Sequence, residues 1–139
     1  MQERTIRDAM TPNPSTLSAD SSVAEAAKLM KREDVGVIPV VEGERLVGTV
    51  TDRDIAIRVV AEGKDPSSVS MREIASTDLV TIDPQQNVGK ALRLMADHQV
   101  RRLPVVEADG RLVGIVAQAD VAQEAEPAHV GEAVEEISR

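Results

Sequence analysis

The feature that most constrains the fold of this chain is an internal repeat. The stretch VAEAAKLMKREDVGVIPVVE, which begins at Val23, aligns with VGKALRLMADHQVRRLPVVE, which begins at Val88, at an offset of 65 residues. One extra residue in the second turn makes the offset 66, so RLVGTVTDRDIA at Arg45 aligns with RLVGIVAQADVA at Arg111. A fixed period of this length indicates a duplicated supersecondary unit. A repeat of about 60 residues buries only about 60% of its chain surface, so the two copies need each other.

Each copy predicts the same order of elements. A short strand, STLSAD or LVTIDPQQ, precedes a helix whose apolar residues recur at positions i, i+3, i+4 and i+7. Ser22 and Asn87 stand at the predicted N-caps of these two helices. A β-hairpin with a glycine-containing turn follows, and a second helix begins in TDRDIAIRVVAEG or QADVAQEAE. The apolar helical positions are Val23, Ala26, Ala27 and Met30 in the first copy, and Val88, Ala91, Leu92 and Met95 in the second.

The sequence therefore predicts a mixed α/β (α+β) fold made of two β-α-β-β-α repeats. Residues 1–61 are predicted to form the first repeat and residues 71–125 the second. Residues 62–70 are the predicted linker, within a polar connection that runs from Glu62 to Glu73. Residues 126–139 form an acidic tail, for which a short amphipathic helix and a frayed end both stay open.

Composition argues against several kinds of function. The chain has no cysteine, which removes disulfides and thiolate chemistry, and two histidines cannot form a usual zinc site by themselves. A formal charge of -8 opposes a general affinity for nucleic acid. The chain has no apolar run of membrane-spanning length and no signal-peptide core, so we expect a cytoplasmic protein without a membrane partner. Because Phe, Trp and Tyr are absent, a bound base would lie between aliphatic groups.

The stretch TDRD, Thr51 to Asp54, has two interpretations that do not exclude each other. Thr51 and Asp54 have the spacing of a capping box, in which each side chain accepts a hydrogen bond from the other residue's backbone N–H. The same place suits a ligand, since uncapped N–H groups at a helix start attract phosphate and an aspartate accepts hydrogen bonds from both ribose hydroxyls. Gly48 is expected to let a ligand approach the strand closely. The second repeat keeps Asp120, but Ala117 replaces the threonine and can neither cap nor donate.

These landmarks resemble a known family, the CBS domains, which occur as tandem pairs called Bateman modules. The resemblance rests on VGVIPVVEGERLVGTVTDRDI and VRRLPVVEADGRLVGIVAQAD and covers the chain from about Ile6 to Gln123. Within the family, TDRDIAIRVV and HQVRRLPVV are similar to the small stand-alone pairs of the hypoxic-response type. The resemblance implies repeats packed about a pseudo-two-fold axis through their sheets, and a homodimer. It also implies a non-catalytic regulatory module that binds AMP, ADP, ATP, NAD or S-adenosylmethionine in the cleft between the repeats.

The resemblance also implies which residues contact such a ligand. Ribose and phosphate contacts are expected from Thr51, Arg53, Asp54, Asp120, Arg101 and Arg102. The residues expected to flank adenine are Ser15, Thr16, Val37 and Pro39. Arginine suits phosphate because its planar fork binds two oxygens, although pairing of Arg101 and Arg102 with a nearby carboxylate is the alternative. Since the second repeat lacks the threonine, we expect the better phosphate site to combine TDRD with this arginine pair.

Three classes of function are consistent with these patterns to different degrees. The first is the nucleotide sensor, which requires no cofactor and has an unidentified protein as a potential target. The second is a purely structural or protein-interaction dimer, in which TDRD serves only as a helix cap. An enzyme is the least favoured class, because the sequence shows no Ser-His-Asp, Cys-His, metal or P-loop constellation.

Overall fold

The computed structural model describes residues 4–122 of the chain. These residues form two three-stranded sheets with accompanying helices, which confirms the predicted mixed α/β fold class. The elements are α1 (Ile6–Ala9), β1 (Thr11–Pro12), β2 (Leu17–Ser18), α2 (Val23–Glu33), β3 (Val37–Glu42), β4 (Arg45–Thr51), α3 (Asp52–Ile55) with a π-helical continuation (Ala56–Val60), α4 (Met71–Ile74), α5 (Val88–His98), β5 (Arg102–Val106), β6 (Leu112–Ala117) and α6 (Gln118–Ala122). One sheet has the strand order β2-β3-β4 and the other β1-β6-β5.

The chain divides into two compact units whose composition cuts across the repeat. The hairpin-1 unit is Ser15–Leu79, and the hairpin-2 unit combines the described residues 4–14 with residues 80–122. Each repeat therefore contributes its opening segment to the unit that contains the other repeat's hairpin. The boundaries at 1–61 and 71–125 remain predictions about the duplicated sequence, and the predicted tail, 126–139, lies outside the described residues.

The two long helices begin where the sequence predicts. The Ser22 hydroxyl accepts a hydrogen bond from the N–H of Glu25 at 3.2 Å, and the Asn87 side-chain oxygen accepts one from the N–H of Lys90 at 2.9 Å. Both residues therefore satisfy backbone donors that the first helical turn leaves unpaired, which confirms the predicted N-caps.

Each unit has its own apolar core, and one predicted core position is wrong. Ala27 is exposed, whereas Leu29 is buried, because the inner face of α2 rotates toward i+6 rather than i+4. On α5 the predicted positions are buried and Ala96 joins them. The fully buried larger side chains of the hairpin-1 unit are Val23, Ile38, Val40, Val50, Val59 and Met71, and those of the hairpin-2 unit are Ile6, Val88, Leu92, Met95, Leu103 and Val105.

The hairpins place alternate side chains on opposite faces of each sheet. In β3 and β4, Ile38 and Val50 are register partners with no exposed surface, so they form the core face. Val37 pairs with Thr51, and these two side chains therefore lie on the other face. β5 and β6 repeat the arrangement and carry the register shift at the equivalent place, after Val105 instead of Val40.

The opening segments contain short helices that the sequence interpretation missed. At the start of α1 the Asp8 carboxylate accepts from the N–H of Thr5 at 3.3 Å, and at the start of α4 Glu73 accepts from the N–H of Ser70 at 2.6 Å. The two pairs lie 65 residues apart, so this capping spacing was the available signal. The predicted polar connection is wrong over its last residues, because Met71 is fully buried.

The glycine kept in both hairpins serves chain packing. A Cβ at Gly48 would lie 3.0 Å from the Ser76 carbonyl oxygen, and one at Gly114 would lie 2.9 Å from that of Thr11. Ser76 and Thr49 exchange backbone hydrogen bonds of 2.9 and 3.0 Å across this close approach. The expectation that Gly48 admits a ligand is therefore corrected, since the opening segment of the other repeat occupies that space.

Matching ion pairs hold the short helices to the hairpin turns. Arg7 of α1 contacts Glu107 at 2.6 Å, and Arg72 of α4 contacts the equivalent residue, Glu42. Arg72 also lies 3.3 Å from Asp20. Hydrogen bonds to these two carboxylates, chiefly that of Glu42, raise the pKa of the Arg72 guanidinium.

Candidate functional site

The predicted ligand residues of the first repeat lie where the hairpin runs into a helix. Thr51 is the last residue of β4 and the N-cap of α3. Its hydroxyl accepts from the N–H of Asp54 at 3.0 Å, while Asp54 Oδ2 accepts from the N–H of Thr51 at 2.8 Å. The capping interpretation of TDRD is therefore confirmed, and it uses one of the two carboxylate oxygens.

The first backbone donors of α3 are all engaged. The N–H of Asp52 donates to the Gly36 carbonyl at 2.9 Å, and the N–H of Arg53 donates to Asp52 Oδ1 at 2.8 Å. The next N–H, of Asp54, donates to the Thr51 hydroxyl. The expectation that uncapped N–H groups here hold a phosphate is wrong, because a phosphate would have to displace existing hydrogen bonds.

The side chains of the same junction still have hydrogen-bond donors and an acceptor available. Asp54 Oδ1 makes no hydrogen bond within the described residues, and the Thr51 hydroxyl, which accepts one bond, still has its proton to donate. The Arg53 side chain is exposed and pairs with no group of residues 4–122. One acceptor, one hydroxyl donor and one guanidinium are thus available to a ligand here.

Arg58 is a neighbour of this junction that sequence reasoning missed. Its Nε lies 3.9 Å from Asp54 Oδ1, and its Nη1 donates to the carbonyl oxygen of Ile74 at 3.0 Å. The Arg58 side chain is 53% exposed, whereas that of Asp54 is 18% exposed. The separation of four residues on a helix was the available signal, since such residues are neighbours on its surface.

Two of the expected adenine-flanking residues lie beside Thr51. Val37 is its register partner, and Pro39, the register partner of Thr49, is on the same face of the hairpin. Val37 is half-buried and Pro39 is buried. On this face of β3, Val37 therefore offers accessible aliphatic surface next to the polar groups of TDRD, whereas Pro39 is already covered.

The other two expected adenine-flanking residues open on a groove beside α2. Ser15 and Thr16 line a groove of about 450 Å³ together with Lys28 and Arg32. The Ser15 hydroxyl donates to Glu33 Oε1 at 2.6 Å, so its proton is already engaged.

The hairpin-2 unit has the same backbone at the equivalent junction but different side chains. The N–H of Gln118 donates to the Arg101 carbonyl at 2.8 Å, and Arg102 is the register partner of Ala117. Arg101 and Arg102 are exposed, and neither guanidinium pairs with a carboxylate of residues 4–122, so the alternative salt bridge is not formed there. Asp120 is half-buried in α6.

The ten predicted site residues are thus divided between the units. Ser15, Thr16, Val37, Pro39, Thr51, Arg53 and Asp54 belong to the hairpin-1 unit, and Arg101, Arg102 and Asp120 belong to the hairpin-2 unit. Residues 4–122 contain no group of three or more His, Asp or Glu side chains arranged to hold a metal ion. None of the helices in this part of the chain combines the length and hydropathy that a bilayer crossing takes.

Comparison with known proteins agrees with the fold and with the repeat. The CBS domain family matches residues 6–61 and again residues 71–126. The CBS domain-containing protein YhcV of Bacillus subtilis is 47% identical over 117 residues, which are 84% of this chain and 82% of that protein. The crystal structure of Hypoxic Response Protein I with two coordinated zinc ions is similar with a TM-score of 0.79 and 35% identity, over 88% of this chain and all of that one.

A further solved structure is similar and carries ligands. It is the CBS domain pair of protein MJ0100 in complex with 5'-methylthioadenosine and S-adenosyl-L-methionine, with a TM-score of 0.74 and 27% identity over 88% of this chain and 95% of that one. The predicted resemblance to tandem CBS pairs of the hypoxic-response type is confirmed. The chain belongs to the CBS domain family and contains two CBS domains.

Proposed function

We propose that this protein is a non-catalytic regulatory module of the cytoplasm that binds an adenosine-containing ligand at the TDRD junction. The observation that carries the proposal is that side-chain donors and an acceptor at this junction have no hydrogen-bond partner within residues 4–122. Asp54 Oδ1 accepts the ribose hydroxyls, while the Thr51 hydroxyl and the Arg53 guanidinium donate to phosphate. The adenosine ligands in the related CBS pair MJ0100 support the chemical class of the ligand.

The base is proposed to lie on the aliphatic face beside this junction. Val37 supplies accessible surface there, the buried Pro39 remains a predicted neighbour of the base, and the chain has no Phe, Trp or Tyr to stack on it. Ser15 and Thr16 remain predicted adenine neighbours. Affinity then depends on the directional contacts to ribose and phosphate more than on contacts to the base, because an aliphatic surface lacks the stacking geometry that a base prefers.

The equivalent junction of the second repeat is proposed to make fewer contacts with the phosphate of a ligand. It keeps Asp120, but alanines stand at the positions of Thr51 and Arg53. Arg101 and Arg102 remain predicted phosphate contacts, supported by their exposure and by their lack of carboxylate partners within residues 4–122. Binding transmits a signal only if the ligand prefers one arrangement of the protein over another.

A structural or protein-interaction dimer is the second candidate, and a surface feature favours it. Ile57 is 47% exposed and Val60 is 67% exposed in the π-helical turn that follows α3. These residues are three apart and present an aliphatic surface that a second copy or another protein would cover. On this hypothesis the protein shows no response to adenosine ligands, and TDRD is only a cap.

Calorimetric titration with AMP, ADP, ATP, NAD and S-adenosylmethionine separates the two candidates. We expect at least one ligand to bind, and Asp54→Asn to lower its affinity by roughly tenfold, since a charge-assisted hydrogen bond is lost. Asparagine keeps one oxygen for the cap, so the melting temperature without ligand should change little. Asp120→Asn is the matched control in the other repeat. Absence of heat and of any thermal shift with all five ligands would favour the dimer hypothesis.

A further inference from the structure

Arg58 connects the TDRD junction to a distant part of the chain. Its guanidinium donates to the Ile74 carbonyl at 3.0 Å and lies 3.9 Å from Asp54 Oδ1. Ile74 ends α4, so its carbonyl is one of the group that a helix leaves without an internal partner. A cation at this position satisfies the carbonyl and complements the negative end of the helix.

The segment that receives this bond, Met71 to Ser76, is anchored at its start, where the N–H of Met71 donates to the Ser21 carbonyl at 2.8 Å and that of Arg72 to the Ala19 carbonyl at 3.0 Å. After Ile74, the N–H of Ser76 donates to the Thr49 carbonyl at 2.9 Å, and the N–H of Thr49 donates back at 3.0 Å. Ala75 packs over Gly48, which has no side chain to obstruct it. The end of the segment, Ile74 to Ser76, is therefore held beside TDRD by the buried Ile74 side chain, by one short ladder against β4 and by Arg58.

Arg58 occurs together with the other donors of the first repeat. The equivalent position in the second repeat is Glu124, just as alanines replace Thr51 and Arg53 there. Of the polar residues at this junction, only Asp54 has an identical counterpart in the second repeat, Asp120. If Arg58 served only to hold the end of a helix, an arginine would be equally useful in both repeats. Its occurrence in the first repeat alone matches a role beside the ligand, because the other ligand donors are also found there.

We propose that Arg58 is a positioning residue that couples ligand occupancy at Asp54 to the position of the segment Ile74–Ser76. The inference rests on the proposed function. Without ligand, the pair between Arg58 and Asp54 is long and half-exposed, so water screens it and it contributes little. A ribose on Asp54 Oδ1 excludes water from this pair and strengthens the attraction. The guanidinium is then held more firmly against the Ile74 carbonyl, and the segment is stabilised.

Reciprocity turns this coupling into two measurements, made on the full chain with AMP as the probe. If the ligand stabilises the segment through Arg58, then Arg58 must raise the affinity for the ligand by the same factor. We expect Arg58→Ala to weaken AMP binding about fivefold. We also expect AMP to slow amide hydrogen exchange at Ala75 and Ser76 in the wild type, and to have no such effect in this variant.

Two further variants separate positioning from general stability. Arg72→Ala removes the ion pairs of α4 to Glu42 and Asp20 without touching Asp54, so it loosens the same helix and should keep AMP affinity and the AMP-dependent slowing of exchange. Arg58→Lys can reach only one of the two partners at a time and should recover a part of the affinity and little of the coupling.

The possible failures are distinguishable. If the wild type binds AMP, and Arg58→Ala binds it equally well with the same slowing of exchange at Ser76, the inference is overturned and the proposed function stands. Equal loss of affinity in Arg58→Ala and Arg72→Ala would likewise overturn it, since the effect would be that of a loosened helix. If the wild type binds none of AMP, ADP, ATP, NAD and S-adenosylmethionine, the proposed function and the inference both fail.

Discussion

The two junctions between hairpin and helix share a backbone and differ in their side chains. In one, the N–H of Asp52 donates to Gly36, and in the other, the N–H of Gln118 donates to Arg101, at nearly the same distance. The first junction adds a reciprocal cap between Thr51 and Asp54, whereas Ala117 offers no hydroxyl to the second. α6 nevertheless begins at the equivalent residue.

The fold of such a junction therefore does not require the threonine. In the hairpin-2 unit α6 begins after Ala117, without a side-chain hydroxyl, so the threonine of the hairpin-1 unit is available for a purpose besides starting a helix. The kept aspartate is the shared element, and Thr51, Arg53 and Arg58 are added at the junction that we propose binds an anionic ligand.

The two units share a glycine that lies against an opening segment, and replacing it should change the free energy of unfolding most. Gly48→Val and Gly114→Val should each lower the free energy of unfolding by about 3 kcal/mol, because the new side chain collides with backbone of the opening segment. Urea denaturation measures this, and Arg45→Ala at the exposed start of β4 is the control with little effect. A large loss of unfolding free energy at one glycine and none at the other would contradict the structural equivalence of the two junctions.

The next effect concerns ribose recognition at the first junction. We expect 2'-deoxy-AMP to bind the wild type roughly tenfold more weakly than AMP, because a hydroxyl donor to a carboxylate is missing. Asp54→Asn should reduce this discrimination, whereas Asp120→Asn should retain it. If calorimetry finds the discrimination lost only in Asp120→Asn, the assignment of the two junctions is reversed.

Exchange of the capping residue gives a smaller effect. Thr51→Ala should lower the free energy of unfolding by about 1 kcal/mol, since the N–H of Asp54 loses its acceptor. Ala117→Thr should raise it by less than that, because a new hydroxyl would cap the start of α6. Thr51→Ser is the control that keeps the cap. An unchanged urea midpoint in Thr51→Ala would show that the hydroxyl has no structural role.

The smallest effect concerns the ion pairs that both units share. Arg7→Ala and Arg72→Ala should lower the melting temperature slightly and to a similar extent, since exposed ion pairs contribute little. Added salt should remove most of the difference from the wild type, because it screens exposed charges. A large, salt-independent loss in either variant would contradict the surface character of these pairs.

Much of the architecture could be predicted from local pattern. The helix caps Ser22 and Asn87, both hairpins and the mixed α/β class follow from capping chemistry and periodicity. The exchange of opening segments could not be predicted, because nothing local in Ile6–Ala9 or Met71–Ile74 specifies which hairpin each will pack on. Ala27 was misplaced because small residues fit either face of a helix.

The sequence was sufficient to predict most of the residues that form the candidate site. It was not sufficient to predict which of their hydrogen-bonding groups are left unpaired. The spacing of Thr51 and Asp54 predicts both a cap and a ligand, and the structure was needed to show that the cap takes one carboxylate oxygen and leaves the other. The engagement of the backbone donors through Gly36 and Asp52 depends on a contact 16 residues away in sequence and on one local side chain. Arg58 was missed because its main partner, the Ile74 carbonyl, is remote in sequence.

The most direct test of the contrast is to follow backbone amide chemical shifts while AMP is titrated into the wild type. We predict the largest changes at Thr51 to Asp54 and Val37, with smaller changes at Ala117 to Asp120, and their loss in Asp54→Asn. Larger changes at Ala117 to Asp120 that survive in Asp54→Asn would contradict the assignment of the better ligand site to the first junction.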